Sequence, residues 1–155
     1  MRHGYGVLYY NDGTKYIGNF VNDYCHGKGK HVYETGDFYM GGFSLDNMTG
    51  KCKLYDVDNR LIYNREWLYG TFHGFGIYYN LYGTVNYEGL WKNSMVHGRG
   101  KLFNEKGELE FDGYFYEGEA KTSFKQSTSN GTESNTTNDL NHVIIPVAKI
   151  VDSIY

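Results

Sequence analysis

Tyr87-Glu88-Gly89-Leu90-Trp91, followed shortly by His97-Gly98-Arg99-Gly100-Lys101-Leu102, is the stretch that decides the fold. Tyr87, Gly89 and Trp91 are spaced two apart, so in an extended chain they share one face, with Glu88 and Leu90 on the other. A connection of about five residues is expected after Trp91, from which Gly98, Gly100 and Leu102 run back as a second strand. The unit is therefore a β-hairpin. A glycine inside a strand makes room for something that lies close to the backbone. Here that something is expected to be the neighbouring rings, lying flat on the sheet.

The same text recurs along the chain. His-Gly-x-Gly occurs at His3, His26, His73 and His97, and a degraded copy, Thr49-Gly50-Lys51-Cys52, fills the gap, so the period is 23 or 24 residues. Ten residues after each of these positions stands Gly13, Gly36, Asn59, Gly83 or Gly107. Gly and Asn are the residues that most readily take positive φ, so these positions read as turns. Ten residues before the four later positions stands Tyr16, Tyr39, Tyr63 or Tyr87, followed four residues on by Phe20, Phe43, Trp67 or Trp91. A last opening, Phe111-Asp112-Gly113-Tyr114-Phe115, is not followed by His-Gly.

One hairpin is marginal in water. Stacked edge to edge, hairpins pair their backbones and bury ring against ring. Each buried aromatic removes about 150–250 Å² from water, at most roughly 4–6 kcal/mol apiece. The expected fold class is all-β: an elongated single-layer solenoid of stacked antiparallel β-hairpins. Its expected extent is 1–120, with a partial first repeat at 1–15, repeats at 16–38, 39–62, 63–86 and 87–110, and a half-repeat at 111–120. The Ser/Thr/Asn-rich stretch 121–141 reads as a disordered linker. Within 142–155, Val147, Ile150, Val151 and Ile154 have helical spacing after Pro146, which suits a short apolar helix docked on the solenoid or the stub of another domain.

The repeated Tyr-x-Gly-x-Trp/Phe and His-Gly-x-Gly pattern resembles the MORN repeat (membrane occupation and recognition nexus) over roughly His3 to Phe115. The resemblance implies a non-catalytic interaction module. It is similar in use across cytoskeletal and ciliary scaffolds, membrane-junction proteins and regulatory regions of enzymes such as phosphoinositide kinases and lysine methyltransferases. Departures fall in the middle: Thr49 for His, Cys52 for Gly, and Arg65 for Gly between Tyr63 and Trp67. Regular geometry is least expected there. The chain opens inside a repeat, which suggests a fragment of a longer array, and the incomplete first and last hairpins suggest self-association, for example as a homodimer.

Composition agrees with this reading and narrows the function. Of 155 residues 21 are Gly, 18% are aromatic and one is Pro. No apolar run approaches the roughly 20 residues of a membrane-spanning helix, and the start is unlike a secretory signal. A formal net charge of -3 argues against nucleic acid as a partner. Cys25 and Cys52 form no metal or redox motif, and two unpatterned thiols suit a reducing, cytoplasmic setting, membrane-peripheral or cytoskeletal. The sequons at Asn47, Asn130 and Asn135 are then unused.

No catalytic residue, metal or cofactor is expected. Equivalent histidines two strands apart lie roughly 9–10 Å from one another, too far to share a zinc ion. Glu108, Glu110 and Asp112 alternate as a solvated strand face does, and the glycine pairs lack the strand–loop–helix setting of a phosphate loop. Two surfaces remain. The first is an aromatic groove floored by Tyr16, Phe20, Tyr39, Phe43, Tyr63, Trp67, Tyr87, Trp91, Phe111 and Phe115, whose ring edges a one-layer sheet is expected to leave accessible to a partner helix or extended peptide. The second is a basic stripe on the opposite face, Lys28, Lys30, Lys51, Lys53, Arg99 and Lys101, suited to acidic phospholipids. Nearby Glu34, Asp37, Asp46, Asp56 and Asp58 weaken its field. Phe75 and Ile77 interrupt the stripe with apolar side chains.

Overall fold

The computed structural model describes residues 1–121. Eleven strands, β1 (Gly4–Tyr9), β2 (Lys15–Val21), β3 (Tyr24–Val32), β4 (Phe38–Ser44), β5 (Asn47–Tyr55), β6 (Leu61–Leu68), β7 (Thr71–Tyr79), β8 (Val85–Lys92), β9 (Met95–Phe103), β10 (Leu109–Tyr116) and β11 (Glu119–Lys121), form one sheet in strict sequential order. Every neighbouring pair is antiparallel. The sheet is open, with β1 and β11 at its ends. Lys121, expected to begin the linker, closes β11 instead. The rest of the expected linker and the whole segment 142–155 lie outside the described residues.

The connection inside each hairpin is shorter than the sequence suggested. It is two residues, both at positive φ: Asn22/Asp23, Leu45/Asp46, Tyr69/Gly70, Asn93/Ser94 and Glu117/Gly118. Positive φ at both central residues is the type I′ turn, whose twist matches that of paired strands. Met95–His97, expected in the connection, belong to the returning strand, and the His-Gly text forms a bulge in it. Gly89 pairs with Gly100 but Trp91 pairs with Val96, so the three residues His97–Arg99 stand against Leu90 alone. Gly98 takes a positive φ there, as Gly27, Gly50 and Gly74 do at equivalent places, all between 63° and 82°, which explains the glycine after each histidine slot. The turns between hairpins were read correctly. Gly13, Gly36, Asn59, Gly83 and Gly107 all have positive φ, between 65° and 92°.

Neighbouring hairpins are also clasped at their turns. The N–H groups of Asp23, Asp46, Ser94 and Gly118 donate to the carbonyls of Arg2, Cys25, Phe72 and Val96, one repeat earlier. The Asp23 and Asp46 carboxylates accept the N–H groups of Arg2 and Cys25 at 2.6 Å each, and the Ser94 hydroxyl accepts that of Phe72 at 3.2 Å. Carboxylate acceptors strengthen such bonds. The clasps fix the spacing of the stack without consuming side chains from the core.

Pairing across the sheet aligns one glycine per strand into a row: Gly6, Gly18, Gly29, Gly41, then Cys52 and Arg65, then Gly76, Gly89, Gly100 and Gly113. The row is the bed of the tyrosines. A Cβ built on Gly18 or Gly29 would strike the Tyr16 ring, one on Gly41 the Tyr39 ring, one on Gly76 the Tyr63 ring, and one on Gly89 or Gly100 the Tyr87 ring. Each hydroxyl then donates to a carbonyl three residues on: Tyr16 to Asn19, Tyr39 to Gly42, Tyr63 to Glu66 and Tyr87 to Leu90, at 2.9–3.0 Å. The break at Cys52–Arg65 falls where irregularity was expected.

Beside the glycines runs a second row in which Tyr16 and Tyr39 flank His31. The other returning strands fill the equivalent place with Leu8, Leu54, Tyr78 or Leu102. The imidazole packs against the rings of Tyr33 at 4.9 Å and Tyr10 at 6.0 Å. Burial lowers its pKa, an effect the Asp12 carboxylate only partly offsets.

Two outcomes follow. Gly100→Ala should lower stability by about 1–3 kcal/mol, because the added methyl must displace the Tyr87 ring, whereas Lys101→Ala on the exposed face should change it by less than about 0.5 kcal/mol. Urea midpoints check both. For His31, the folded state prefers the neutral ring while the unfolded chain takes up a proton near pH 6.5. Its contribution is complete above that pH and is lost as pH falls toward the lower folded value. Urea titrations at pH 7.5 and 5.0 should show His31→Leu losing less stability on acidification than the unsubstituted chain.

Candidate functional site

The ten side chains expected to floor a groove do come together. Their centroids form an unbroken zigzag in the order Phe20, Tyr16, Phe43, Tyr39, Trp67, Tyr63, Trp91, Tyr87, Phe115 and Phe111, at separations of 4.7–6.1 Å and interplanar angles of 64–87°. This is edge-to-face packing throughout, worth about 0.5–1.5 kcal/mol per pair beyond the area buried. The accessible edges expected of them are absent, however. The four tyrosines are 0% exposed, the two tryptophans 3%, and only Phe111 is more than marginally open. A single layer covers this face of itself because each ring lies along the backbone and shields the next. The column is core, and the expectation of an open floor is corrected accordingly.

Burial also quiets the chemistry of this face. Desolvation pushes the Tyr16 hydroxyl up to about 12 and raises Tyr39, Tyr63 and Tyr87 further. It likewise lifts the buried thiols of Cys25 and Cys52, to about 11 and about 12. A thiol so shifted is protonated near neutrality and is a poor nucleophile. Among the described residues, no group of three His, Cys, Asp or Glu side chains is placed to hold a metal ion, and no helix is long and apolar enough to cross a membrane.

The opposite face carries the side chains that alternate with the glycines. Cross-strand partners there run Val7, Ile17, Lys30, Met40, Lys53, Asn64, Ile77, Glu88, Lys101 and Asp112 in one row. That row holds three of the six predicted cations, Lys30, Lys53 and Lys101, together with Glu88 and Asp112, and the six are not equivalent. Arg99 is engaged by Asp112 at 2.6 Å and lies over the Tyr114 ring. Lys101 stands between Glu88 and Asp112 in register. Lys51 faces Glu66 in register in the same way, yet among the described residues no carboxylate lies within ion-pair distance of Lys28, Lys30, Lys51, Lys53 or Lys101. Lys30 sits 3.5 Å above the Phe38 ring, and Met40, 47% exposed, separates Lys30 from Lys53.

One cation on this face was missed. Arg65 was read as a flaw in the glycine pattern. Its side chain is exposed, and the guanidinium carbon approaches the outer-face ring of Phe75 at 5.8 Å. The signal was present in the sequence: with a Tyr63 ring over its position, a long side chain has nowhere to go but outward. Phe75 and its cross-strand neighbour Leu90, 37% and 42% exposed, extend the cationic patch with apolar surface.

A search of curated proteins finds no match to the chain. The sequence profile of the MORN repeat matches residues 1–15, 16–38, 39–59, 66–80 and 87–107. The two segments it skips within 1–107, residues 60–65 and 81–86, include Arg65 and the exposed Leu81–Tyr82 turn. Repeats of this kind serve generally as protein- and membrane-interaction modules rather than catalytic ones. With five consecutive matches spanning well over half its length and one open sheet of stacked hairpins, the chain belongs to the MORN repeat family.

Proposed function

We propose that the chain is a non-catalytic docking platform whose outer sheet face binds acidic phospholipid headgroups. The observation that carries this reading is the block of cations on β3, β5 and β6 (Lys28, Lys30, Lys51, Lys53 and Arg65) with no ion-pair partner among the described residues. Each basic side chain near an anionic membrane contributes about 1 kcal/mol, so five on one patch give local attraction although the whole chain carries a formal charge of -3. A sheet face suits a bilayer surface better than it suits a small ligand. Met40, Phe75 and Leu90 supply apolar contact at the headgroup level.

A protein partner, taken up as a helix or extended peptide, is the second reading. Phe75 and Leu90 favour it, being adjacent, apolar and accessible. Such a partner would meet the outer face, because the aromatic column offers almost no free surface.

Co-sedimentation with mixed phosphatidylcholine–phosphatidylserine vesicles separates the two. Binding should fall steeply as salt shortens the screening length from about 10 Å at 0.1 M to about 3 Å at 1 M. Replacing Lys28, Lys30, Lys51 and Lys53 together by Glu should abolish it, while Lys106→Glu in a turn should leave it unchanged. Equal binding to phosphatidylcholine alone, or indifference to salt, would overturn the lipid reading.

A further inference from the structure

The two ends of the sheet are not alike. β11 is three residues long and carries Glu119 and Lys121, so shortness and charge blunt its edge. β1 has none of the usual protections. Its six residues, Gly-Tyr-Gly-Val-Leu-Tyr, include no charge and no proline, and its ladder with β2 runs without a register shift from Gly4–Phe20 to Tyr9–Lys15. Among the described residues nothing pairs with its other side. The Tyr10 N–H donates to the Thr14 carbonyl on the β2 side. Backbone groups of alternate residues point to opposite edges of a strand, so those of Tyr5, Val7 and Tyr9 are directed to the open side.

The side chains of this strand sort into two sets by the same alternation. On the outer face stand Tyr5, Val7 and Tyr9, which are 74%, 49% and 74% exposed. On the inner face Gly6 is set apart from the rest of its row. A Cβ on Gly18, Gly29, Gly76 or Gly100 would strike a tyrosine ring, whereas one on Gly6 meets only the Phe20 ring, at an ordinary 3.6 Å. The bed at Gly6 therefore has room for a side chain. Leu8, two residues along on the same face, is only partly buried against the core.

We propose that β1 pairs antiparallel with β1 of a second copy of this chain, about a two-fold axis at Val7. In that register Tyr5 stands opposite the partner's Tyr9, Val7 opposite the partner's Val7, and Tyr9 opposite the partner's Tyr5. Every backbone group directed to the open side then finds a hydrogen-bond partner. The outer face gains aromatic and β-branched cross-strand pairs, and no like charges meet, since β1 carries none. On the inner face the partner's Leu8 stands opposite Gly6, where there is room for it. The same patch serves both copies, so the contact closes as a dimer instead of growing into a filament. The axis runs normal to the sheet, so both outer faces look the same way and a ligand of one is met twice.

The test uses the full chain and reads its mass by light scattering at high micromolar concentration, since an interface of one strand is small. The unsubstituted chain should run at twice its 17.9 kDa, and Val7→Lys, which sets two like charges across the axis, at once that mass. Val57→Lys, in an exposed turn, should leave the dimer intact. Cysteine substitution checks the register, both native thiols being buried. Directly opposed, hydrogen-bonded residues have Cα atoms about 5.5 Å apart, within disulfide reach. Under mild oxidation Val7→Cys should cross-link to itself, and Tyr5→Cys only when mixed with Tyr9→Cys. A monomeric unsubstituted chain at that concentration overturns the proposal and leaves this edge to residues 122–155 or to another protein. A dimer that survives Val7→Lys, with Val7→Cys not cross-linked, overturns it too, because the copies then meet elsewhere.

Discussion

A tyrosine ring laid across glycines is the contact on which the rest of the structure depends. Tyr87 lies over Gly89 and Gly100 and donates its hydroxyl to the Leu90 carbonyl, and the same arrangement recurs at Tyr16, Tyr39 and Tyr63. The glycines supply no side chain, and the ring supplies none of its volume to a second layer. Together they give a sheet thick enough to exclude water from one face with nothing among the described residues packed on top of it. The phenylalanines and tryptophans four residues on complete the cover edge to face, so each hairpin finishes the core of its neighbour.

This constraint separates the two faces of the sheet by task. Residues that point inward are limited to ring, glycine or small apolar side chain, and they can vary little without opening the column. Residues that point outward alternate with them and are bound by no such requirement. Variation in the stack therefore accumulates on the outer face: Lys28, Lys51, Phe75 and Arg99 occupy one equivalent position, and Lys30, Lys53, Ile77 and Lys101 another. A repeat protein of this design acquires specificity by what it writes on that face, while the opposite face keeps it folded.

Much of this was legible before any coordinates. The two-residue spacing of Tyr87, Gly89 and Trp91 made strands, the His-Gly recurrence set the repeat, and the Gly/Asn alternation at 13, 36, 59, 83 and 107 marked the turns correctly. The type I′ turns were hidden, because no residue type at either turn position is common to Asn22/Asp23, Leu45/Asp46, Tyr69/Gly70, Asn93/Ser94 and Glu117/Gly118, and only positive φ unites all five. The bulge at His97–Arg99 was hidden for a related reason: a bulge is a relation between two strands, and one strand's sequence does not state how many residues face it. The ten groove residues were identified as a set that packs together, yet their accessibility was misjudged, since the shielding of Tyr39 by Phe43 and Trp67 depends on ring angles.

Periodicity and repetition alone thus determined the all-β class, the hairpin unit and the identity of the ring column, because an extended chain fixes the face of every residue by its parity. Tertiary structure decided which face remains open and which cations have a carboxylate within ion-pair distance. Those properties follow from the three-dimensional packing of rings and the cross-strand register of charges, and both arise only when separate strands are brought side by side.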